Sequence, residues 1–108
     1  MQGICLSFYV HENHKHKGIA LYEWLLETAK KAGIHGGSAF RAIAGFGRHG
    51  VLHEQHFFEL AGELTVEVEF LLDEQQAEAL LAVLRREQIR VFYAKSPAEF
   101  GIVGAGRQ

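Results

Sequence analysis

The hydrophobic pattern near the start of the chain alternates with a period of two, which is typical of a strand with one buried face. Residues 3–10 are predicted as this strand, and its apolar side is formed by Ile4, Leu6, Phe8 and Val10. The same alternation recurs within residues 57–72, where the apolar positions are Leu64, Val66, Val68 and Phe70. Residues 35–44 and 89–94 are predicted as two further strands.

Two other segments follow the spacing of an amphipathic helix. The first, residues 19–32, ends before Gly33, and its apolar face is formed by Ile19, Tyr22, Leu25, Leu26 and Ala29. The second follows Asp73, which forms the signature of a capping box with Gln76, and its apolar face is formed by Ala77, Leu80, Leu81 and Leu84. The order β-α-β-β-α-β predicts an α+β fold of the ferredoxin-like type, a sandwich of a four-stranded antiparallel sheet with two helices on one face.

The connecting segments complete one predicted domain over residues 1–108. Residues 11–18 and 45–56 are polar or rich in glycine and histidine, so both are predicted as loops. Pro97 is expected to begin a glycine-rich tail, and we assign residues 95–108 to this tail. A chain of 108 residues leaves no room for a second domain.

The side of the sheet that faces away from the helices is predicted to be a subunit interface. A solvated sheet face should be polar, but the side chains on this one include Cys5, Ser7, Tyr9, Leu71 and either Phe92 or Tyr93. The alternative is a scatter of exposed apolar groups, which is common on soluble proteins. A chain of this size gains stability from association, and this favours an oligomer.

Composition narrows the classes of function. A formal net charge of −2 argues against nucleic acid as a partner, because nucleic-acid-binding domains present a basic face. The single cysteine, Cys5, excludes an intramolecular disulfide and suits a cytoplasmic protein. No stretch reaches the ~18 apolar residues of a membrane span, so direct membrane insertion is not expected.

Residues 45–50 match the pattern G-x-G-x-x-G, but not in the context of a dinucleotide-binding fold. That fingerprint follows the first strand of a βαβ unit and opens a helix, whereas here it follows the second strand. The glycines could still present backbone N–H groups to a phosphate, with charge from Arg41 and Arg48. A simple glycine turn is the competing interpretation.

Histidines cluster in the same region and allow a second hypothesis. His49, His53 and His56 have spacings that suit a divalent metal such as Zn²⁺, Cu²⁺ or Ni²⁺, and solvated loop histidines are the alternative. No serine lies in a G-x-S-x-G elbow, and Cys5 lies mid-strand, where a buried structural thiol is commoner than a nucleophile. The protein is therefore predicted not to be an enzyme.

Two adjoining segments carry a family resemblance. The run from Leu21 to Ile34, LYEWLLETAKKAGI, and the run from Gly36 to Gly47, GGSAFRAIAGFG, resemble the family of small proteins catalogued as domain of unknown function 190. That family is grouped with the PII-like proteins. The resemblance implies a ferredoxin-like protomer, a homotrimer with its sheets facing inward, and a long loop between the second and third strands.

The resemblance also implies where a ligand and a partner bind. In PII proteins the long loop, called the T-loop, contacts target proteins, and its base helps to bind adenine nucleotides in clefts between subunits. Residues 45–59 correspond to this T-loop-like segment, and the tail from Gly101 to Arg107 corresponds by position to a segment that closes over the ligand. Together with the arginines noted already, the predicted ligand-binding residues are Arg41, Gly45, Phe46, Gly47, Arg48, Lys95 and Arg107.

One departure from the PII pattern bears on the identity of the ligand. Residues 85–88 link the second helix to the fourth strand without the glycine- and lysine-containing phosphate loop of PII proteins. This favours a monophosphate, a cyclic nucleotide or a simple anion over a triphosphate. The short link is also similar to that of CutA-type trimers, which are associated with metals.

The sequence therefore predicts a PII-like signalling protein that binds a small anionic ligand and presents its loop to a membrane transporter or an enzyme. An adenine nucleotide is the expected ligand, and no other cofactor is predicted with the leading interpretation. Two alternatives stay open: a CutA-like trimer that binds a divalent metal through the three histidines, and a docking scaffold without a ligand.

Overall fold

The structure, a computed structural model, describes residues 1–45 and 65–104. Within these ranges the helices are α1 (Leu21–Lys31) and α2 (Glu74–Arg86). The strands are β1 (Gln2–His11), β2 (Lys15–His16), β3 (Ile19–Ala20), β4 (Gly37–Arg41), β5 (Thr65–Leu72) and β6 (Phe92–Glu99). Neither of these helices is long and apolar enough to cross a lipid bilayer.

The strands β1 and β5 form the centre of a four-stranded sheet. The order is β4-β5-β1-β6, and each neighbouring pair is antiparallel. Each helix connects two strands that are separated by one intervening strand, which is the split βαβ arrangement. The predicted ferredoxin-like fold is confirmed, and β2 and β3 add a small hairpin between β1 and α1.

Burial of one sheet face against both helices explains the alternation seen in the sequence. Leu6 and Phe8 of β1 pair with Phe70 and Val68 of β5, and all four side chains are buried. The same core receives one face of each helix, formed by Leu21, Leu25, Ala29, Ala77, Leu80, Leu81 and Leu84. Each large apolar side chain buried in this layer stabilises the fold by roughly 1.5–3 kcal/mol.

The two helices begin differently. Asp73 accepts a hydrogen bond from the N–H of Gln76 at 2.7 Å, and the Gln76 side chain accepts one from the N–H of Asp73 at 3.1 Å, so the predicted capping box is confirmed. Helix α1 has no side-chain cap at Ala20. Instead, the N–H of Leu21 donates to the carbonyl oxygen of His14 at 2.7 Å, which gives one donor of the first turn a partner.

The β2–β3 hairpin begins in residues 11–18, which are predicted as a loop, but β3 takes the first two residues of the predicted helix 19–32, so α1 begins later than expected. The turn of the hairpin is formed by Lys17 and Gly18, which have φ angles of 54° and 86°. Nε2 of His16 lies 3.0 Å from Oε1 of Glu87, and its ring meets Trp24 edge-on with centroids 4.7 Å apart. The hydrogen bond with His16, followed by that with Lys17, lowers the pKa of Glu87. These contacts hold the hairpin against α1 and against the end of α2.

The bounds of two strands differ from the prediction at both ends, since β4 begins two residues later and β6 three residues later than expected. β4 ends earlier than expected, at Arg41. β6 continues to Glu99, so the beginning of the tail assigned to residues 95–108 is strand, including Pro97. The proline is tolerated because β6 lies at the edge of the described sheet, where a ladder can lack one N–H donor.

Replacing Gly37 by alanine is expected to destabilise the fold, whereas the same change at Gly36 is not. A Cβ at Gly37 would lie 2.5 Å from Cε1 of Phe70, whose ring is buried in the core. A Cβ at Gly36 would meet nothing within 4 Å. We expect Gly37→Ala to lower the free energy of unfolding in urea by about 1–3 kcal/mol, and Gly36→Ala to leave it unchanged or slightly raised. Equal effects of the two variants would contradict this close packing.

Candidate functional site

The pairing of the strands brings several chain segments to one end of the sheet, which we call the loop end. His11, the last residue of β1, pairs with Thr65, the first residue of β5. Arg41, the last residue of β4, pairs with the neighbouring position of β5, and β6 starts close by at Phe92. After β4, the N–H of Ala42 donates to the carbonyl oxygen of Thr65 at 2.8 Å, and the described residues end at Gly45.

Arg41 is the predicted ligand residue that the structure places at the loop end with a defined partner. Its Nη2 donates to Oε2 of Glu12 at 3.0 Å. The Arg41 side chain is 62% exposed and that of Glu12 is 21% exposed, so the guanidinium forms the solvent side of the pair. Exposed ion pairs contribute only about 0.2–1 kcal/mol, so an anionic ligand can compete with Glu12 for this arginine.

Glu12 is a residue of this site that the sequence pattern does not single out. It lies in a polar stretch, and only the pairing of β1 and β4 with β5 brings it beside Arg41. Its Oε1 is buried and has no hydrogen-bond partner among the described residues. Because a buried oxygen without a partner carries a desolvation penalty, the Glu12 carboxylate depends on Arg41 for compensation.

Most of the predicted ligand residues fall outside the part of the chain that the structure describes. Gly45 is exposed and is the last described residue before position 65. The residues beyond it, for which the anion and metal assignments stay predictions, are Phe46, Gly47, Arg48, His49, His53, His56 and Arg107. Within residues 1–45 and 65–104, no three His, Cys, Asp or Glu side chains are arranged to hold a metal ion.

Lys95 does not join Arg41 at the loop end. It pairs with Leu6 in the middle of β1, and its Nζ donates at 2.7 Å to both Glu74 and Glu78 of α2. The hydrogen bond with Glu74, followed by that with Glu78, raises the pKa of Lys95, and the hydrogen bond with Lys95 lowers the pKa of Glu78. Lys95 could therefore bind a ligand only by leaving two carboxylates.

Arg90 is a second basic residue near the loop end, and the sequence analysis does not select it. It is exposed and lies two positions before β6, whose first residue pairs with Tyr9 of β1. The available signal was its place directly before the last strand. That signal is lost when the strand is predicted to begin at Ile89, because Arg90 then counts as a strand residue.

The side of the sheet that faces away from the helices, which we call the open face, carries large exposed apolar side chains: Tyr9, Phe40, Leu71 and Phe92. Of the two aromatic residues considered for β6, Phe92 lies on this face, with its ring centroid 5.6 Å from that of Tyr9. Tyr93 lies on the other side, where its ring packs beside Phe8. In a single protomer, the apolar side chains of the open face are therefore exposed to water.

Acidic and thiol groups occupy the middle of the open face. Glu67 and Glu69 hold alternate positions of β5 on this side. The Sγ of Cys5 lies 3.8 Å from Oε2 of Glu69, and burial is the largest cause that raises the pKa of this thiol. By register, none of the described β1, β4, β5 or β6 positions on the open face is a lysine or an arginine.

A cavity of about 350 Å³ lies between α1 and β4, at the other end of β4 from Arg41. Its lining is mainly apolar and includes Leu26, Ala29, Ile34 and Phe70, with Lys30 and His35 as its titratable groups. An apolar lining suits an apolar group better than a phosphate. The predicted anion site therefore does not coincide with this cavity.

The described residues thus form a ferredoxin-like protomer in which Arg41 lies at the end of β4, just before the segment that leads to β5. The family model of DUF190, described as "Uncharacterized ACR", matches residues 3–91, and the chain belongs to this family. The resemblance carried by residues 21–47 is thereby confirmed.

Curated relatives bear the family name UPF0166. A UPF0166 protein of Aquifex aeolicus is 32% identical over 80 residues, which cover 74% of this chain and 76% of the relative. A UPF0166 protein of Methanocaldococcus jannaschii is 30% identical over 79 residues, which cover 73% of this chain and 72% of the relative. These matches span most of the described fold.

Solved structures with the same fold include two that are described in PII terms. CPII from Thiomonas intermedia, solved with ADP and bicarbonate, superposes with a TM-score of 0.64 at 17% identity, covering 94% of this chain and 91% of that one. A candidate PII-like signalling protein from Thermus thermophilus superposes with a TM-score of 0.59 at 17% identity, covering 90% and 87%. At this identity the likeness shows the shared fold.

Replacing Lys95 by methionine is expected to raise the pKa of Glu78 toward its ordinary value of 4.5, because the hydrogen bond with Lys95 is the largest cause of its lowering. A carboxyl group whose pKa is lowered by folding stabilises the fold above its ordinary pKa and loses that contribution as the pH falls through the lowered value. Lys95→Met should therefore be less stable than the original protein at neutral pH, and this difference in stability should disappear in acid.

An NMR titration of the glutamate side chains measures this change directly. Glu87, whose pKa is lowered by His16 and Lys17 at another place in the fold, is the internal control and should titrate as in the original protein. If Glu78 titrates identically with and without Lys95, the bridge between α2 and β6 does not persist in solution.

Proposed function

We propose that this protein is a homotrimeric PII-like signalling protein that binds a small anionic ligand in clefts between its subunits. The observation that carries the proposal is the exposed guanidinium of Arg41 at the loop end. It occurs in a fold similar to that of CPII, which was solved with ADP and bicarbonate. Both molecules are anions that an arginine can bind with charge-assisted hydrogen bonds, and an adenine nucleotide is the ligand we expect.

The anion site is proposed to combine charge with backbone donors. Arg41 supplies the charge from the end of β4, and backbone N–H groups at Gly45 and Gly47 would line the approach of a phosphate. The remaining residues assigned to this site are Phe46 and Arg48, with Lys95 and Arg107 as weaker members. Lys95 would join only after release from its two carboxylates.

Self-association through the open face is the second part of the proposal. Four strands about 4.8 Å apart, with about seven paired residues at about 3.4 Å each, give a face of roughly 19 by 24 Å. This corresponds to roughly 450 Å², a little over half of the ~800 Å² that each partner contributes to a standard interface. Exposed aromatic side chains such as Phe40, which is 52% exposed, are enriched at the centres of interfaces.

The proposed action is regulatory and not catalytic. Ligand binding at the loop end would select one arrangement of residues 45–59 and so change the surface that a partner meets. A membrane transporter or an enzyme is the kind of partner proposed, by analogy with PII proteins. The cytoplasm is the proposed compartment, because the single thiol at Cys5 needs no oxidising environment.

A thermal-shift panel on metal-stripped protein tests the proposal with ATP, ADP, AMP, cyclic AMP, bicarbonate and Zn²⁺. A ligand present at 100 times its Kd stabilises a protein by about 2.7 kcal/mol. We expect an adenine nucleotide to raise the melting temperature. Arg41→Gln should weaken this ligand by about 10- to 100-fold, since a hydrogen bond to a charged group contributes about 1.5–3 kcal/mol.

The matched control is Lys31→Gln, which removes one exposed positive charge at the far end of α1. It should bind the ligand as the original protein does. An equal loss in both variants would mean that only net charge matters, and silence across the anions would contradict the proposal. A shift with Zn²⁺ alone would instead support the CutA-like alternative at His49, His53 and His56.

Replacing Glu12 by glutamine is expected to raise the affinity of the protein for its anionic ligand. The carboxylate of Glu12 occupies one donor of Arg41, and its removal leaves the guanidinium to the ligand. Because such an exposed pair is worth about 0.2–1 kcal/mol, the affinity should rise by a factor of about 1.4 to 5. Titration calorimetry with the ligand found in the panel measures it, and Glu27→Gln on α1 controls for the change in net charge. Weaker binding by Glu12→Gln would show that Glu12 assists the ligand.

A further inference from the structure

We infer that assembly through the open face is linked to proton uptake by Glu67 and Glu69, so that the oligomer becomes stronger as the pH falls. The inference rests on the proposed function, because it takes further copies of this chain as the occupants of the open face. It adds the pH as a second factor, besides the proposed ligand, that controls the strength of self-association.

Glu67 lies between two aromatic residues on the open face. It pairs with Tyr9 of β1 on one side and with Phe40 of β4 on the other. Its side chain is partly buried in the single protomer. Because β5 is an inner strand of the sheet, another copy that covers the aromatic groups also covers this carboxylate.

Glu69 lies two residues further along β5, in a small polar cluster. It pairs with Ser7 and Ser38, and its Oε2 lies 3.8 Å from Sγ of Cys5. Ser7 is buried even in the protomer. Neutral hydroxyl and thiol groups can donate hydrogen bonds to a carboxylate, but they bring no charge to balance it when water is excluded.

The other charged and titratable groups near this face are few within the described residues. β1 contributes His11 at the loop end, together with Tyr9 and Cys5, whose raised pKa keeps the thiol uncharged near neutral pH. The open-face positions of β4 and β6 contribute none, being Ser38, Phe40, Phe92, Ala94, Ser96 and Ala98. By register Arg41 and Lys95 lie on the opposite side, where they pair with Glu12, Glu74 and Glu78.

A second open face therefore brings more carboxylates to the interface and no lysine or arginine from the described strands. Loss of water and the approach of like charges both disfavour the ionised carboxyl group. We therefore expect assembly to raise the pKa of the Glu67 and Glu69 carboxyl groups. A state with the higher pKa binds more protons, so assembly is favoured below that raised pKa and weakened as the pH rises through it.

His11 is expected to have the opposite effect on the pH dependence of assembly. The variant His11→Asn separates its contribution from that of the two glutamates. Burial disfavours a protonated imidazole, so acid would weaken an assembly that depended on His11. The direction of the pH effect therefore distinguishes the two glutamates from the histidine on the same face.

Sedimentation velocity over a dilution series, between about pH 5 and about pH 8, measures the association constant. For the original protein we expect it to rise as the pH falls, by up to tenfold per pH unit for each proton taken up. Glu67→Gln and Glu69→Gln should each flatten this dependence and hold the oligomer more tightly at the alkaline end. Glu27→Gln, an exposed change on α1, should leave the original slope, and His11→Asn should not abolish it.

The outcomes separate this inference from the function on which it rests. An oligomer whose association is independent of pH, or whose slope survives both glutamine substitutions, overturns the proton linkage and leaves the trimer and its ligand site intact. A monomer at every pH and concentration overturns the linkage together with the self-association step. Glutamine is isosteric with glutamate, so each glutamine variant is expected to fold. Circular dichroism of each variant checks that it does.

Discussion

The pairing of β1 with β5 is the constraint on which the rest of the molecule depends. Leu6 and Phe8 face Val68 and Phe70 across these two inner strands, and all four are buried beneath both helices. Because side chains alternate strictly along a strand, this burial also decides what the other face shows. A shift of register by one residue would turn Glu69 into the core and Phe70 into water. The packing of these four side chains therefore fixes which side of the sheet is the open face and where the loop end lies.

The fold was predictable because its signals are local and agree with one another. The alternation of residues 3–10, the helical spacing after Asp73 and the Asp73–Gln76 capping box each favour the observed element, and the helix packing confirms them. The errors occur where local signals weaken. β6 is an edge strand with little burial, so neither its start nor its passage through Pro97 is marked by a hydrophobic pattern.

The site was only partly predictable because its contacts join residues that are distant in sequence. Arg41 was selected by its place before a glycine-rich segment, and the structure puts it at the loop end. Its partner Glu12 is 29 positions away, and nothing in either local pattern links the two. Lys95 shows the reverse case. Lys95 is predicted to lie in the tail and at the ligand site, whereas the structure places it in β6, between two α2 carboxylates that are 21 and 17 positions from it.

Assembly through the open face would also decide where a ligand can lie. In the proposed trimer, three inward-facing sheets around one axis would meet at their edges, and the β4 edge of one subunit would approach the β6 edge of the next. The first edge ends in Arg41 and the second begins just after Arg90, both at the loop end. A cleft formed there would combine one guanidinium group from each of two subunits. A ligand bound in such a cleft would stabilise the assembly, and a change that weakened the open face would also weaken the ligand site.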